Sequence, residues 1–179
     1  MAFRDVVRKL VKALRAAGAQ YCVTGSLAVG YYGIPRSVKE IEVLVFPSWV
    51  AVKRTVSELR RRRFKMVDRL GKDLQDFRME AKEGFRIRFV MANSERDLET
   101  LRRARTARFF GVGVRLASPE DLVIRSIARG GTKGFSDAAG ILARLHDQLD
   151  RPYLQQRAEE AGIGEAFNKL VQKVWLCAE

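Results

Sequence analysis

Residues 21–45 read YCVTGSLAVGYYGIPRSVKEIEVLV. Tyr21–Thr24 is a short apolar run with strand character that ends on Gly25-Ser26. Ser26–Tyr32 is rich in small residues and reads as a short helix, closed by Gly33-Ile34-Pro35-Arg36. Val38–Phe46 reads as a second strand, in which Ile41, Val43 and Val45 alternate with Glu40, Glu42 and Leu44. Successive side chains of a strand point to opposite faces, so Glu40 and Glu42 project from the same one. A Gly-Ser turn that opens a helix presents backbone N–H groups to an anion. Two carboxylates beside such a turn are suited to holding a divalent cation and a triphosphate together.

Upstream, Phe3, Val6, Val7, Leu10, Val11 and Leu14 recur at helical spacing, with Arg and Lys on the opposite face and Gly18 as the stop. Downstream, Pro47-Ser48 starts a helix with Val52, Val56 and Leu59 on one face, finished by Arg60, Arg61, Arg62 and Arg63. Cations suit the negative end of a helix, and the same four arginines would also make a nucleic-acid-binding edge. Phe64–Val67, Phe77–Ala81 and Phe85–Met91 read as strands with turns near Gly71 and Gly84, and Leu98–Arg103 reads as a short helix. Arg108–Leu116 is strand-like and broken by Gly111 and Gly113.

Ser118-Pro119-Glu120-Asp121 has the form of a helix start: a capping hydroxyl, a proline in the first turn and acids at the positive end. From there on the pattern is helical. The expected organisation is therefore an α/β (α+β) domain over 1–117, with a mixed sheet flanked by helices, and a helical C-terminal region over 118–179 packed on it. Trp49 and Trp175 fit amphipathic faces in the core or an interface, and His146 fits a helix surface.

Thirty-four Lys and Arg against 21 Asp and Glu give a net charge of +13. An excess of that size favours a polyanionic partner, RNA or DNA first. The Arg share and the scarcity of Asn (Asn93 and Asn168) fit a thermophilic or GC-rich source. No apolar run is long enough to span a bilayer, and charges recur through the first helix, so no membrane partner and a cytoplasmic location are expected. Cys22 and Cys177 lie at opposite ends of the chain, which argues against a disulfide framework or a zinc site.

Taken in order, Val23-Thr24-Gly25-Ser26-Leu27-Ala28, Gly33-Ile34-Pro35-Arg36, Lys39-Glu40-Ile41-Glu42-Val43-Leu44-Val45 and Ser118-Pro119-Glu120-Asp121-Leu122 resemble the nucleotidyltransferase-fold superfamily. The resemblance lies with its small prokaryotic members, near the AbiEii-type toxins and the minimal nucleotidyltransferases, and covers most of residues 1–145. It implies transfer of a nucleoside monophosphate from an NTP to RNA or protein. Gly25 and Ser26 would hold the triphosphate, Arg36 and Lys39 would neutralise its charge, and Glu40 and Glu42 would be the catalytic Mg²⁺ ligands. The family's later Lys and Asp correspond to Arg125 and Asp137, the latter either reaching the nucleotide or lying on a helix surface.

Two departures from the family pattern stand out. Its paired acids are typically Asp, and here both are Glu. Its third acid falls at Arg88 in Gly84-Phe85-Arg86-Ile87-Arg88-Phe89-Val90, with Glu80 as a neighbouring substitute. Two readings of Glu40 and Glu42 follow. Either they bind metal, or they form the solvent face of an edge strand, paired with Arg86 and Arg88 across the sheet. The second reading makes the chain an inactive module that binds nucleic acid or, as in two-protein toxin systems, a partner protein.

Overall fold

The computed structural model describes residues 2–68, 76–109 and 111–175; the turn expected near Gly71, and Cys177, lie outside them. Along the chain run α1 (Ala2–Ala16), β1 (Tyr21–Thr24), α2 (Gly25–Tyr32), β2 (Glu40–Val45), α3 (Trp49–Arg61), β3 (Phe64–Met66), β4 (Asp76–Ala81), β5 (Arg86–Met91), α4 (Glu95–Arg103), β6 (Arg105–Phe109), β7 (Val112–Leu116), α5 (Pro119–Arg129), α6 (Gly131–Arg144), α7 (Arg151–Glu160) and α8 (Gly164–Trp175). Two compact units result. The first holds 1–26 and 38–117, and the second holds 27–37 and 118–179. A boundary falls between residues 117 and 118, and residues 27–37 group with the C-terminal helices.

The first unit contains a mixed sheet in the order β3-β4-β5-β2-β1-β7-β6. β2 is its middle strand, antiparallel to β1 and parallel to β5. The edge-strand expectation for Glu40 and Glu42 is thereby corrected: their strand has a neighbour on each side. One sheet face buries Ile41, Val43, Phe77, Met79, Ile87 and Phe89. The Phe77 and Phe89 rings stack there with centroids 4.5 Å apart. α1 packs against α3, burying Val6, Val7, Leu10, Val11 and Leu14 from one helix and Val52, Val56 and Leu59 from the other. The stop of α1 is a glycine in the left-handed region, Gly18 at φ +64°, with the Ala19 N–H donating back to the Leu14 carbonyl.

α3 ends at Arg61, with Arg62 as its cap and Arg63 beyond it, so the four arginines do not all belong to the helix. The stretch 108–116 is not one broken strand. Its C-terminal part and residues 105–109 form the β6–β7 pair, Arg105 opposite Leu116 and Phe109 opposite Val112. Trp49 is not in the core either. It is 44% exposed, with the Lys53 ammonium 4.8 Å from the ring centroid.

The second unit is built from helices. Ser118 accepts a hydrogen bond from the Asp121 N–H at 3.1 Å and donates its own to the Asp121 carboxylate at 2.6 Å, with Pro119 in the first turn of α5. Asp121 also accepts from the Tyr153 hydroxyl at 2.7 Å, which ties α7 to α5. Among the described residues no helix is long and apolar enough to cross a membrane.

Gly134 sets how closely α6 approaches α5. A Cβ there would sit 2.3 Å from the Ser126 carbonyl oxygen, a backbone atom with no rotamer to change. Gly134→Ala is expected to cost about 1–3 kcal/mol, the usual range for overpacking, read as a fall in the urea midpoint at unchanged slope.

Candidate functional site: an ion-paired face beside a Gly-Ser turn

The turn after β1 is shaped by Gly25. Its φ of +61° is in the left-handed region, and a Cβ there would come within 3.2 Å of the Glu42 Cβ. The backbone thus lies directly against Glu42, and Ser26 follows it into the first turn of α2. Thr24, fully buried and opposite Glu42 in the ladder, donates its hydroxyl to Glu42 Oε1 at 2.6 Å.

Glu40 and Glu42 alternate with buried Ile41 and Val43 and share the opposite, half-exposed face. Across the parallel ladder Glu40 meets Arg86 and Glu42 meets Arg88. On the far side of β5, Arg78 lies opposite Arg88 and Glu80 opposite Arg86. The ion pairs follow these rungs only between Glu42 and Arg88. Arg78 lies between Glu40 at 3.6 Å and Asp68 at 2.8 Å. Arg88 donates from Nε and Nη2 to Asp76 at 3.1 and 2.9 Å, and its Nη1 is 3.9 Å from Glu42. Each glutamate therefore faces an arginine that is also held by an aspartate. The hydrogen bond to Asp68 is the first cause that holds the Arg78 guanidinium above its ordinary pKa, with the Asp68, Glu40 and Asp76 charges acting the same way.

The sequence pattern places Arg86 and Arg88 correctly across from the glutamates but misses Arg78, Asp76 and Thr24. The missed signal is the alternation Asp76, Arg78, Glu80 around buried Phe77 and Met79. It places three charged side chains on the face that Glu40 and Glu42 use.

Lys39 is exposed just before β2, its carbonyl accepting from the Arg86 N–H. Arg36 belongs to the second unit, where its guanidinium makes a two-toothed pair with the Asp137 carboxylate. Arg129 approaches Asp137 to 3.8 Å. Asp137 is 7% exposed, so it is a buried ion-pair partner of Arg36 and not a helix-surface acid. Of the four arginines, Arg61 and Arg62 both pair with Glu58, while Arg60 and Arg63 line a cleft with Lys65 and Lys82.

Solved structures with this architecture include the antibiotic-resistance factor ANT(2'')-Ia in complex with adenylyl-2''-tobramycin. It matches with a TM-score of 0.66 at 11% identity, over 90% of this chain and 97% of that one. The chain has a nucleotidyltransferase fold. The solution structure of ANT(2'')-Ia matches with a TM-score of 0.60 at 12% identity, over 92% of this chain and 90% of that one. An antigenic nucleotidyltransferase-like protein from Paracoccidioides brasiliensis matches with a TM-score of 0.54 at 15% identity, over 93% and 91% of the two chains. No protein-family model matches the chain. No curated protein matches it in sequence.

The resemblance in sequence implies Mg²⁺ held by Glu40 and Glu42. Mg²⁺ takes near-ideal octahedral geometry at about 2.0–2.1 Å and gives up its water reluctantly. Here the side chain opposite Glu42 on the neighbouring strand is a cation, and each glutamate is turned toward a guanidinium. Among the described residues no three acids, histidines or cysteines gather as a metal-binding group. The residues present do not fit Mg²⁺.

Thr24→Val keeps the shape of the buried side chain and deletes its hydrogen bond to Glu42. A hydrogen bond to a charged acceptor of this kind contributes about 1.5–3 kcal/mol when buried. Glu42 retains partial solvent access, so a loss of about 1–2 kcal/mol is expected, measured by chemical denaturation.

Proposed function

We propose that the chain is a non-catalytic, nucleic-acid-binding module on a nucleotidyltransferase fold, its transfer centre replaced by an ion-paired face. The observation that carries this reading is the position of Arg88, opposite Glu42 in the β2–β5 ladder and 3.9 Å from its carboxylate. A guanidinium there is a permanent cation with a planar fork that suits carboxylates. It supplies the positive charge that a metal would bring, without that metal's open coordination positions. Without a shared metal clamp, neither a leaving pyrophosphate nor an attacking hydroxyl is stabilised. The net charge of +13 supports the nucleic-acid side of the reading.

A second reading keeps the chemistry: transfer of a nucleoside monophosphate from an NTP to RNA or protein. What favours it is the shared face of Glu40 and Glu42 beside the Gly25-Ser26 turn. The turn's amides remain suited to phosphate oxygens on either reading.

Calorimetric titration separates the two. Wild-type protein is expected to show weak, non-saturating Mg²⁺ binding and no incorporation of label from NTP into RNA or protein. Arg88→Asp is expected to raise Mg²⁺ affinity roughly tenfold or more, equivalent to about 1.4 kcal/mol. Tight Mg²⁺ binding by the wild type, with labelled transfer lost in Glu42→Gln, would overturn the non-catalytic reading and establish the enzyme.

A further inference from the structure

Arg63 has a backbone conformation that its side chain does not favour. It sits one position beyond the cap of α3 at φ +67°, and it is the one residue other than glycine with positive φ among the described residues. That position after a helix is where glycine is usual, because a Cβ is strained in the left-handed region. The macrodipole of α3 does not explain the choice, since Arg60 and Arg61 already occupy its last turn. A strained residue retained against an easier alternative points to a use for its side chain.

The surroundings suggest that use. Arg63 lines a cleft of about 690 Å³ with Arg60, Phe64, Lys65, Glu80, Ala81 and Lys82. The cations come from three places: the end of α3, the edge strand β3, and the turn after β4. Arg60, Arg63, Lys65 and Lys82 are all exposed, and none makes an ion pair with a described residue. Their sequence neighbours are committed otherwise. Arg61 and Arg62 are both held by Glu58, whose carboxyl lies below its ordinary pKa, first through the hydrogen bond from Arg62. Glu80 is the carboxylate lining the cleft, and it lies between Lys65 on β3 and Arg86 on β5. The row Lys65, Glu80, Arg86, Glu40 runs without a gap from the cleft to the face beside Gly25-Ser26. Three strand spacings separate its ends, roughly 14 Å.

We propose that this cleft binds the phosphate backbone of a single-stranded nucleic acid, Arg60, Arg63, Lys65 and Lys82 contacting its phosphates. The proposal rests on the nucleic-acid-binding reading above. The cleft has the volume of a ligand site, and four cations from three segments match a chain of phosphates better than one compact anion. Non-bridging phosphate oxygens are common to a strand and to a free nucleotide, so the test must separate them.

The experiment measures binding of a labelled twelve-residue oligouridylate by fluorescence anisotropy across a salt series, with ATP as the competing probe. Four single-strand phosphate contacts predict a log–log salt slope of about −3, from roughly 0.7 per contact. Removing one contact should flatten the slope by about 0.7 and weaken binding about fivefold at 0.1 M salt, which follows from the same slope. Arg63→Gly is the decisive variant. It should weaken oligouridylate binding about fivefold while raising Tm by about 2–4 °C, because it relieves the strained backbone. Glu80→Gln should tighten binding, and Lys169→Gln, a charge-matched change on α8, should leave it unaltered. Wild-type protein with no salt-sensitive binding would overturn both the module reading and the cleft. Salt-sensitive binding unaffected by Arg63→Gly and by Lys82→Gln would overturn the cleft alone. Displacement of the strand by equimolar ATP would overturn the strand in favour of a free nucleotide.

Discussion

The alignment of β2 between β1 and β5 is the constraint from which the rest of the first unit follows. It places Thr24, Glu42 and Arg88 in one row and Glu40 and Arg86 in the next. Side chains alternate strictly along a strand, so a slip of one residue would bury both glutamates and expose Ile41 and Val43. That exchange is prohibitive, since Ile41 and Val43 are fully buried. The polar face is thus held in place by the apolar one. The charged side chains need not stabilise the sheet to be positioned by it, and half-exposed ion pairs of this kind contribute little to stability.

Where periodicity and backbone chemistry agree, the elements could be read directly from residues. β1 is bounded by an apolar run and a Gly-Ser turn, and α5 by Ser118 and Pro119; both start where their residues say they should. α1 needs only its apolar stripe and Gly18. The β6–β7 pair is harder to read because Gly111 and Gly113 look like interruptions of one strand, while the turn lies between two. Arg63 is harder still. Four consecutive arginines look uniform in sequence, yet the helix ends after the second and the fourth adopts a glycine-like conformation.

The candidate site was legible in its placement and not in its bonding. A period of two puts Glu40 and Glu42 on one face, and the family resemblance puts Arg88 opposite. Which acid each arginine takes is decided by side-chain reach across the sheet, which spacing along one strand does not encode. Arg88 takes Asp76 more closely than Glu42, and Glu40 is met by Arg78 two strands away and not by Arg86 beside it. Arg36 shows the same limit. Its position after Gly33-Ile34-Pro35 suggests a phosphate ligand, but its partner is Asp137, 101 residues later. Pairs so distant in sequence come from the packing of whole elements.

The two ends of the sheet have a further consequence. β3 is three residues long and carries exposed Lys65, and β6 carries exposed Arg105 and Arg108. An unpaired edge is a template on which another chain can add a strand, and positive charge or brevity on that edge opposes the addition. Two copies meeting edge to edge would bring like charges together at each of these strands. The same positive charge therefore opposes extension of the sheet at either edge, and added salt, which screens exposed charges, would weaken that guard.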